Sequence, residues 1–129
     1  MVKLKVQRVL LVDDDDATVY ITGRLLKQSG LEVDLLVARN GEEALAIVRE
    51  LCKEEHCPEL ILLDINMPVM DGFEFLEALQ QSADLSATAI RIVVLSSSTH
   101  YLDRIRAKSY PVVDYVEKPL TIEKLSRFL

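Results

Sequence analysis

Short apolar runs alternate along the chain with longer amphipathic stretches. Each run has the length of a strand that is covered on both faces of a parallel sheet. The continuous apolar segment Val9-Leu10-Leu11-Val12 is the clearest case. The pattern predicts five strands, at Val9–Val12, Val33–Ala38, Leu60–Leu63, Ile90–Leu95 and Val112–Val116.

The stretches that follow these runs have the spacing of amphipathic helices. In the segment from Gly41 to Cys52, apolar side chains recur on one face, as expected of a helix packed against a sheet. The fourth helix is marked only by Leu102 and Ile105, so its inward stripe is weak. The predicted helices are Asp16–Ser29, Gly41–Cys52, a segment that opens at Asp71-Gly72, Thr99–Lys108 and Thr121–Leu129.

Strands that alternate with helices are typical of an α/β fold. The pattern predicts a five-stranded parallel sheet with right-handed crossovers and five helices on its two faces. In such sheets, ligands bind at the carboxyl ends of the strands. The polar residues that follow each strand are therefore the candidates for function.

Composition narrows the class of protein. The 129 residues are half hydrophobic, enough for one domain over residues 1–129 with a sizeable core. The net charge of −6 argues against nucleic-acid binding by this domain. No apolar run approaches the roughly 20 residues that cross a bilayer, and no secretory signal is recognisable at the N-terminus. With only two cysteines, we expect a soluble, cytoplasmic protein that does not associate with membranes.

Acidic, hydroxyl and amino groups follow four of the predicted strands. The first strand ends in Asp13-Asp14-Asp15-Asp16, the third in Asp64 and the fourth in Ser96, and Lys118 follows the fifth. Neighbouring carboxylates repel one another by about 3–4 kcal/mol per close pair at an effective dielectric constant near 20. A divalent cation offsets this repulsion, and Mg²⁺ suits it because it prefers oxygen ligands and retains waters that phosphoryl oxygens can replace. A carboxylate beside Mg²⁺ can act as a nucleophile toward phosphorus.

At these positions the sequence resembles the receiver domains of two-component response regulators. Leu10-Leu11-Val12-Asp13-Asp14-Asp15 is similar to the first-strand acidic motif of that family. The stretch from Leu62 to Gly72, LLDINMPVMDG, is similar to its phosphoacceptor loop, and Lys118-Pro119 matches its Lys-Pro pair. The resemblance covers the whole chain and implies a flavodoxin-like sheet with strand order 2-1-3-4-5.

The resemblance also implies a role for each site residue. Asp64 would be phosphorylated, and Mg²⁺ would be held by Asp13, Asp14, Asp64 and the backbone carbonyl of Asn66. Ser96 and Lys118 would bind the phosphoryl group, and Tyr115 would be the switch aromatic. The chain would not be a conventional enzyme, although it would self-phosphorylate with Mg²⁺ and slowly hydrolyse its own acyl phosphate.

The resemblance further implies the partners. A sensor histidine kinase or a phosphotransfer protein would supply the phosphoryl group, and the output would be binding to a downstream protein. The fourth helix, fifth strand and fifth helix would form the switching surface and allow a dimer. The sequence does not identify the kinase or the target.

Four other interpretations compete with this one. Asp14 to Thr18 fits the D-x-D-x-T motif of haloacid-dehalogenase-type phosphatases, and the layer order also fits a flavodoxin-type FMN protein. A receiver that is never phosphorylated and only binds a partner is the third alternative. The fourth is a metal site at Cys52, His56 and Cys57; their spacing is unlike a zinc finger, so we interpret Cys52 as a small buried hydrophobic residue.

Overall fold

The computed structural model describes residues 7–82, 85, 89–96 and 101–129. In this part of the chain, five parallel strands form one sheet in the order β2-β1-β3-β4-β5. The strands are β1 (Gln7–Val12), β2 (Val33–Ala38), β3 (Leu60–Asp64), β4 (Arg91–Ser96) and β5 (Asp114–Glu117). The helices are α1 (Asp16–Gln28), α2 (Gly41–Lys53), α3 (Gly72–Gln81), α4 (Tyr101–Ala107) and α5 (Ile122–Ser126). The predicted fold class and strand order are confirmed.

The core lies on both faces of the sheet, because alternate side chains of each central strand point in opposite directions. One hydrophobic cluster joins Leu10, Ile61 and Val94 to apolar residues of α2, α3 and α4. The other joins Val9, Leu62 and Val93 to residues of α1 and α5. The continuous apolar runs in the sequence follow from this double coverage.

Most predicted element boundaries are confirmed to within one or two residues. The fifth strand begins at Asp114 rather than at Val112, and the last helix ends at Ser126. Residues 99 and 100, where the fourth helix was expected to begin, lie outside the described residues.

The expectation that Leu102 and Ile105 form the inward stripe of α4 is wrong. Their exposed fractions are 67% and 54%, and among the side chains of this helix that the structure describes it is Ala107 that is buried against the core. Leu102 and Ile105, two aliphatic side chains in a helix of seven residues, are too few to define its inward face by periodicity, so packing against the sheet decided the orientation.

A disulfide bond joins Cys52, in the last turn of α2, to Cys57 in the segment that leads into β3. Cys52 does pack against the core, but it is only half-buried and bonded to another sulfur, so its interpretation as a buried hydrophobic residue is corrected. The turn passes through Glu55, which has a φ of 63°. It returns the chain far enough for the two Cα atoms to lie 4.2 Å apart. The bond also removes both thiolates from the alternative metal site.

Among the described residues, no helix combines the length and the apolar character that are needed to cross a membrane.

Candidate functional site

Three carboxylates meet at the carboxyl ends of the adjacent strands β1 and β3. Val12 is paired with Leu63, so the residues that follow them, Asp13 and Asp64, lie side by side. Ligand oxygens of Asp13, Asp14 and Asp64 all lie within 4.8 Å of one another. We call this group the acidic cluster. It has the donor atoms and the charge that a hard divalent cation requires.

Asp13 is fully buried, and its backbone N–H and both side-chain oxygens form hydrogen bonds. Its backbone N–H donates to the carbonyl of Ala38 at 2.9 Å, which continues the ladder between β1 and β2. Its side-chain Oδ1 accepts a hydrogen bond from the N–H of Asp15 at 2.9 Å, and Oδ2 accepts one from Lys118 Nζ at 2.8 Å. A buried carboxylate needs such partners because it has lost its hydration.

The other three aspartates of the run from Asp13 to Asp16 make different contacts. Asp14 is exposed and belongs to the acidic cluster. Asp15 caps α1: it accepts hydrogen bonds from the N–H of Ala17 and from the hydroxyl of Thr18, and the Thr18 bond holds its pKa below the usual value. Asp16 forms an ion pair with Arg39. Only half of the run therefore faces the cluster.

Asp64 is 5% exposed and ends β3. Its Oδ1 lies 3.8 Å from Lys118 Nζ and accepts a long hydrogen bond of 3.5 Å from the N–H of Asn66. Burial and, next, the negative charge of Asp13 raise its pKa to about 6, while Lys118 opposes the shift. The site thus holds a carboxylate whose negative charge is poorly compensated by protein groups alone.

Lys118 joins the acidic cluster from the other half of the sheet. Its side chain is 15% exposed, and the residue lies between β5 and α5, just before a cis peptide bond to Pro119. Its backbone N–H donates to the carbonyl of Ser96 at 2.6 Å. Ser96 is the buried last residue of β4, so the predicted hydroxyl and amine lie at the same edge of the sheet as the carboxylates.

The loop between β3 and α3 folds back tightly beside Asp64. The N–H of Gly72 donates to the carbonyl of Ile65 at 3.0 Å, and a Cβ atom at position 72 would lie 2.6 Å from the carbonyl oxygen of Asp64. Only glycine fits this close approach. Asp71 and Glu74 then form a reciprocal capping box that starts α3. Asn66 itself is exposed at the start of the loop.

Tyr115 lies on β5, half-buried, with the guanidinium of Arg104 5.4 Å from its ring centroid. Its hydroxyl oxygen is buried and has no hydrogen-bond partner among the described residues. A buried, unpaired hydroxyl costs free energy, so this position is one that a small rearrangement could relieve.

Sequence reasoning missed three residues that support the site. Gly41, at the start of α2, donates its N–H to the carbonyl of Met70 at 2.8 Å and so holds the loop beside Asp64. Arg39 pairs with Asp16 at the rim. Lys124 bonds the backbone next to Lys118. None belongs to a motif, and only the three-dimensional contacts identify them.

Comparison with known proteins places the chain in a family. Residues 9–129 match the response regulator receiver domain. Response regulator Rcp1 of Synechocystis is 32% identical over 123 residues, covering 94% of this chain and 82% of Rcp1. Hybrid signal transduction histidine kinase B of Dictyostelium discoideum is 33% identical over 125 residues, covering 90% of this chain, which spans only 6% of that protein's length.

Solved structures agree with this result. A two-component response regulator from Cytophaga hutchinsonii superposes with a TM-score of 0.86 at 29% identity, covering 96% of this chain and 94% of its own. The Mn²⁺-bound form of Rcp1 superposes with a TM-score of 0.75 at 32% identity, covering 94% of this chain and 87% of its own.

The chain belongs to the response regulator receiver domains of two-component signalling. Its function is that of a signalling phosphoacceptor rather than a classical enzyme. The match assigns the chain to this family and not to the phosphatases or the FMN proteins considered from the sequence. Receiver domains bind Mg²⁺ at an acidic pocket and interact with histidine kinases or phosphotransfer proteins.

Proposed function

We propose that Asp64 is the residue that accepts the phosphoryl group. The observation that carries this proposal is its position: Asp64 ends the central strand β3, almost buried, with Asp13 and Asp14 beside it and Lys118 Nζ 3.8 Å away. The surroundings raise its pKa and leave its negative charge under-compensated. Such a carboxylate gains from a reaction that brings a cation and a transferable group to it.

Asp13, Asp14, Asp64 and the backbone carbonyl of Asn66 would hold Mg²⁺. Three negative charges against the single charge of Lys118 leave an excess of two, which one divalent cation neutralises. When bound, Mg²⁺ supplies positive charge for the phosphoryl oxygens. The Mn²⁺-bound form of Rcp1, a relative at 32% identity, supports a divalent metal here.

The phosphoryl donor would be a phosphohistidine of a sensor histidine kinase or a phosphotransfer protein. A carboxylate oxygen of Asp64 forms the new P–O bond as the P–N bond to the imidazole breaks, and the imidazole keeps the electron pair and takes up a proton. Ser96 and Lys118 would bind the phosphoryl oxygens through a hydroxyl and an ammonium hydrogen bond. Slow attack of water on the phosphorus would later break the P–O bond to Asp64, release inorganic phosphate and return Asp64 to its free carboxylate.

The output would be a change in protein binding at α4, β5 and α5. Tyr115, with its unpaired buried hydroxyl, would be the switch aromatic, and the exposed side chains of Leu102, Ile105 and Val113 offer apolar area for a target or a second copy of the chain. The downstream target is not identified by these features. A cytoplasmic location, a single domain over residues 1–129 and the lack of nucleic-acid binding stay predictions from the sequence.

Acetyl phosphate with Mg²⁺, read by intact mass, tests the proposal. We expect one phosphoryl adduct on the natural protein and none on Asp64→Asn. Asp16→Asn is the control and should be labelled as fully as the natural protein, because Asp16 pairs with Arg39 and lies outside the acidic cluster. Omission of Mg²⁺ should also prevent labelling. An adduct on Asp64→Asn equal to that of the natural protein would assign the reaction to another residue.

A receiver that binds a partner without being phosphorylated is the second candidate function. The exposed apolar side chains of α4 and β5 would serve that function equally well. The same experiment separates the two: a natural protein that takes up no phosphoryl group, yet still binds Mg²⁺, would favour the second candidate.

A further inference from the structure

Lys124 is bonded to the backbone on both sides of Lys118. Its Nζ donates to the carbonyl of Glu117 at 2.8 Å and to the carbonyl of Pro119 at 3.2 Å. These two residues flank Lys118, whose own ammonium reaches into the acidic cluster. Lys124, on α5, therefore holds the loop from which Lys118 extends into the acidic cluster.

We propose that Lys124 is a positioning residue for Lys118: it holds the Glu117–Pro119 backbone so that the Lys118 ammonium stays directed at Asp13 and Asp64. The inference rests on the proposed function, because it matters for signalling only if Lys118 binds the phosphoryl group on Asp64. Lys124 itself contacts no residue of the acidic cluster among its described contacts.

The backbone of Lys124 is itself held in place by the helix cap and by the core. Thr121 caps α5 by accepting a hydrogen bond from the N–H of Lys124 at 3.2 Å, and the next residue, Leu125, is fully buried in the core. Because these contacts fix the backbone of Lys124, its side chain joins the loop to the core.

On its inner side the same loop is bonded to the sheet. Glu117 is paired with Ser96, and the N–H of Lys118 donates to the Ser96 carbonyl at 2.6 Å. These bonds restrain the chain as far as Lys118, but Pro119 has no N–H to donate. Lys124 supplies the described hydrogen bond that restrains the carbonyl beyond Lys118.

The effect expected of Lys124 is selective. Its bonds are charge-assisted but exposed to solvent, so their loss should weaken binding of a phosphoryl group by about three- to tenfold rather than abolish it. Mg²⁺ alone should bind almost as before, because Asp13, Asp14 and Asp64 come from other segments of the chain. A merely structural residue would reduce both affinities together with the melting temperature.

The test compares Lys124→Met, Lys124→Arg and the control Lys27→Met. Lys27 is an exposed lysine in the last turn of α1, at the end of the sheet opposite to the acidic cluster. The probes are Mg²⁺ alone, followed by calorimetry, and beryllofluoride with saturating Mg²⁺, followed by ¹⁹F NMR. We expect weaker beryllofluoride binding only in Lys124→Met, most of it recovered in Lys124→Arg, whose guanidinium can also donate to two carbonyls.

Equal beryllofluoride affinity in Lys124→Met and Lys27→Met would overturn the inference, as would a parallel loss of Mg²⁺ affinity. Amide NMR of the ligand-free protein gives an independent reading: the Lys118 amide signal should shift in Lys124→Met and stay in place in Lys27→Met. If the natural protein bound no beryllofluoride, the proposed function would fail, and the amide signals would still decide whether Lys124 positions Lys118.

Discussion

Lys118 and Asp13, 105 residues apart in the sequence, form a buried ion pair with an Nζ to Oδ2 distance of 2.8 Å. Asp64 Oδ1 is 3.8 Å from the same ammonium and is therefore the less well compensated of the two carboxylates. The Lys118 amine thus lies closer to Asp13, a candidate metal ligand, than to Asp64, the proposed phosphoryl acceptor. Because of this asymmetry, removing the charge of Asp13 should change the free energy of unfolding differently from removing the charge of another residue of the acidic cluster.

The free energy of unfolding of the metal-free protein should depend on the protonation of Asp64. Its pKa is raised from 3.8 to about 6, so between these values the folded state binds more proton than the unfolded state, and stability falls as pH rises. The loss is on the order of 3 kcal/mol and is nearly complete at about pH 7, one unit above the pKa in the folded state. Urea unfolding in chelator at several pH values measures it.

Asp64→Asn removes this titration. The stability difference between Asp64→Asn and the natural protein should therefore grow with pH from about 4 to 7 and then stay level. Asp16→Asn, on the exposed rim, is the control. A difference that did not change with pH over this window would contradict the raised pKa of Asp64.

Asp14→Asn and Asp13→Asn should have opposite effects on the metal-free protein. Asp14 is exposed in the acidic cluster, so removing its charge relieves repulsion and should stabilise the fold by about 0.5 kcal/mol. Asp13→Asn leaves Lys118 without its closest counter-charge and should destabilise by about 3 kcal/mol. Chemical denaturation in chelator measures both changes. Stabilisation by both variants would show that the ion pair between Asp13 and Lys118 does not stabilise the fold. Calorimetry should find weaker Mg²⁺ binding in each.

Gly72→Ala should destabilise the protein and slow labelling of Asp64. The added Cβ would lie 2.6 Å from the carbonyl oxygen of Asp64 and 2.8 Å from the Cα of Ile65, so the loop must move. We expect a loss of about 2 kcal/mol. Gly23→Ala, inside α1 with its nearest neighbour at 3.9 Å, is the matched control and should stabilise by about 0.5–1 kcal/mol. Thermal melts give both signs, and equal effects of the two variants would contradict the close approach at Gly72.

Reduction of the Cys52–Cys57 bond should lower stability without changing labelling. The bond closes a short ring, with a sequence separation of 5, and a chain-entropy estimate gives a contribution of about 2 kcal/mol. Cys57 precedes β3, whereas Asp64 ends it. The disulfide therefore lies at the amino ends of the strands, and the site lies at their carboxyl ends. Unfolding with and without dithiothreitol should differ in the natural protein and agree in the Cys52→Ser, Cys57→Ser double variant. A labelling rate that fell on reduction would reveal coupling between the two ends of the strands.

The Ser96→Ala, Lys118→Ala double variant should be labelled on Asp64 but fail to switch. A bound group moves a two-state equilibrium only through contacts that differ between the states, and these two side chains would supply such contacts. Beryllofluoride should therefore shift amide signals around Tyr115 in the natural protein and not in the variant. Shifts of natural size in the variant would rule out this route to Tyr115.

The fold was predictable because the interior of a doubly covered parallel sheet imposes apolar runs, which need no knowledge of partners. Strand ends then indicated Asp13, Asp64, Ser96 and Lys118, since polar groups after buried strands meet at one edge. The motif residues of the β3–α3 loop indicated the protein family. Where the pattern was short, as at Leu102 and Ile105 in α4, periodicity failed and packing decided which side faced the core.

The sequence by itself determined the class of fold, the edge of the sheet that holds the site and the kinds of chemical group present there. Only the tertiary structure divided the aspartate run among the cluster, the cap at Asp15 and the rim pair of Asp16. It alone paired Lys118 with Asp13, joined Cys52 to Cys57 and brought Lys124 to the loop. The physical reason is that hydrophobic periodicity is a local property of the chain, whereas ion pairs and hydrogen bonds depend on distances between segments that come together only when the core has formed.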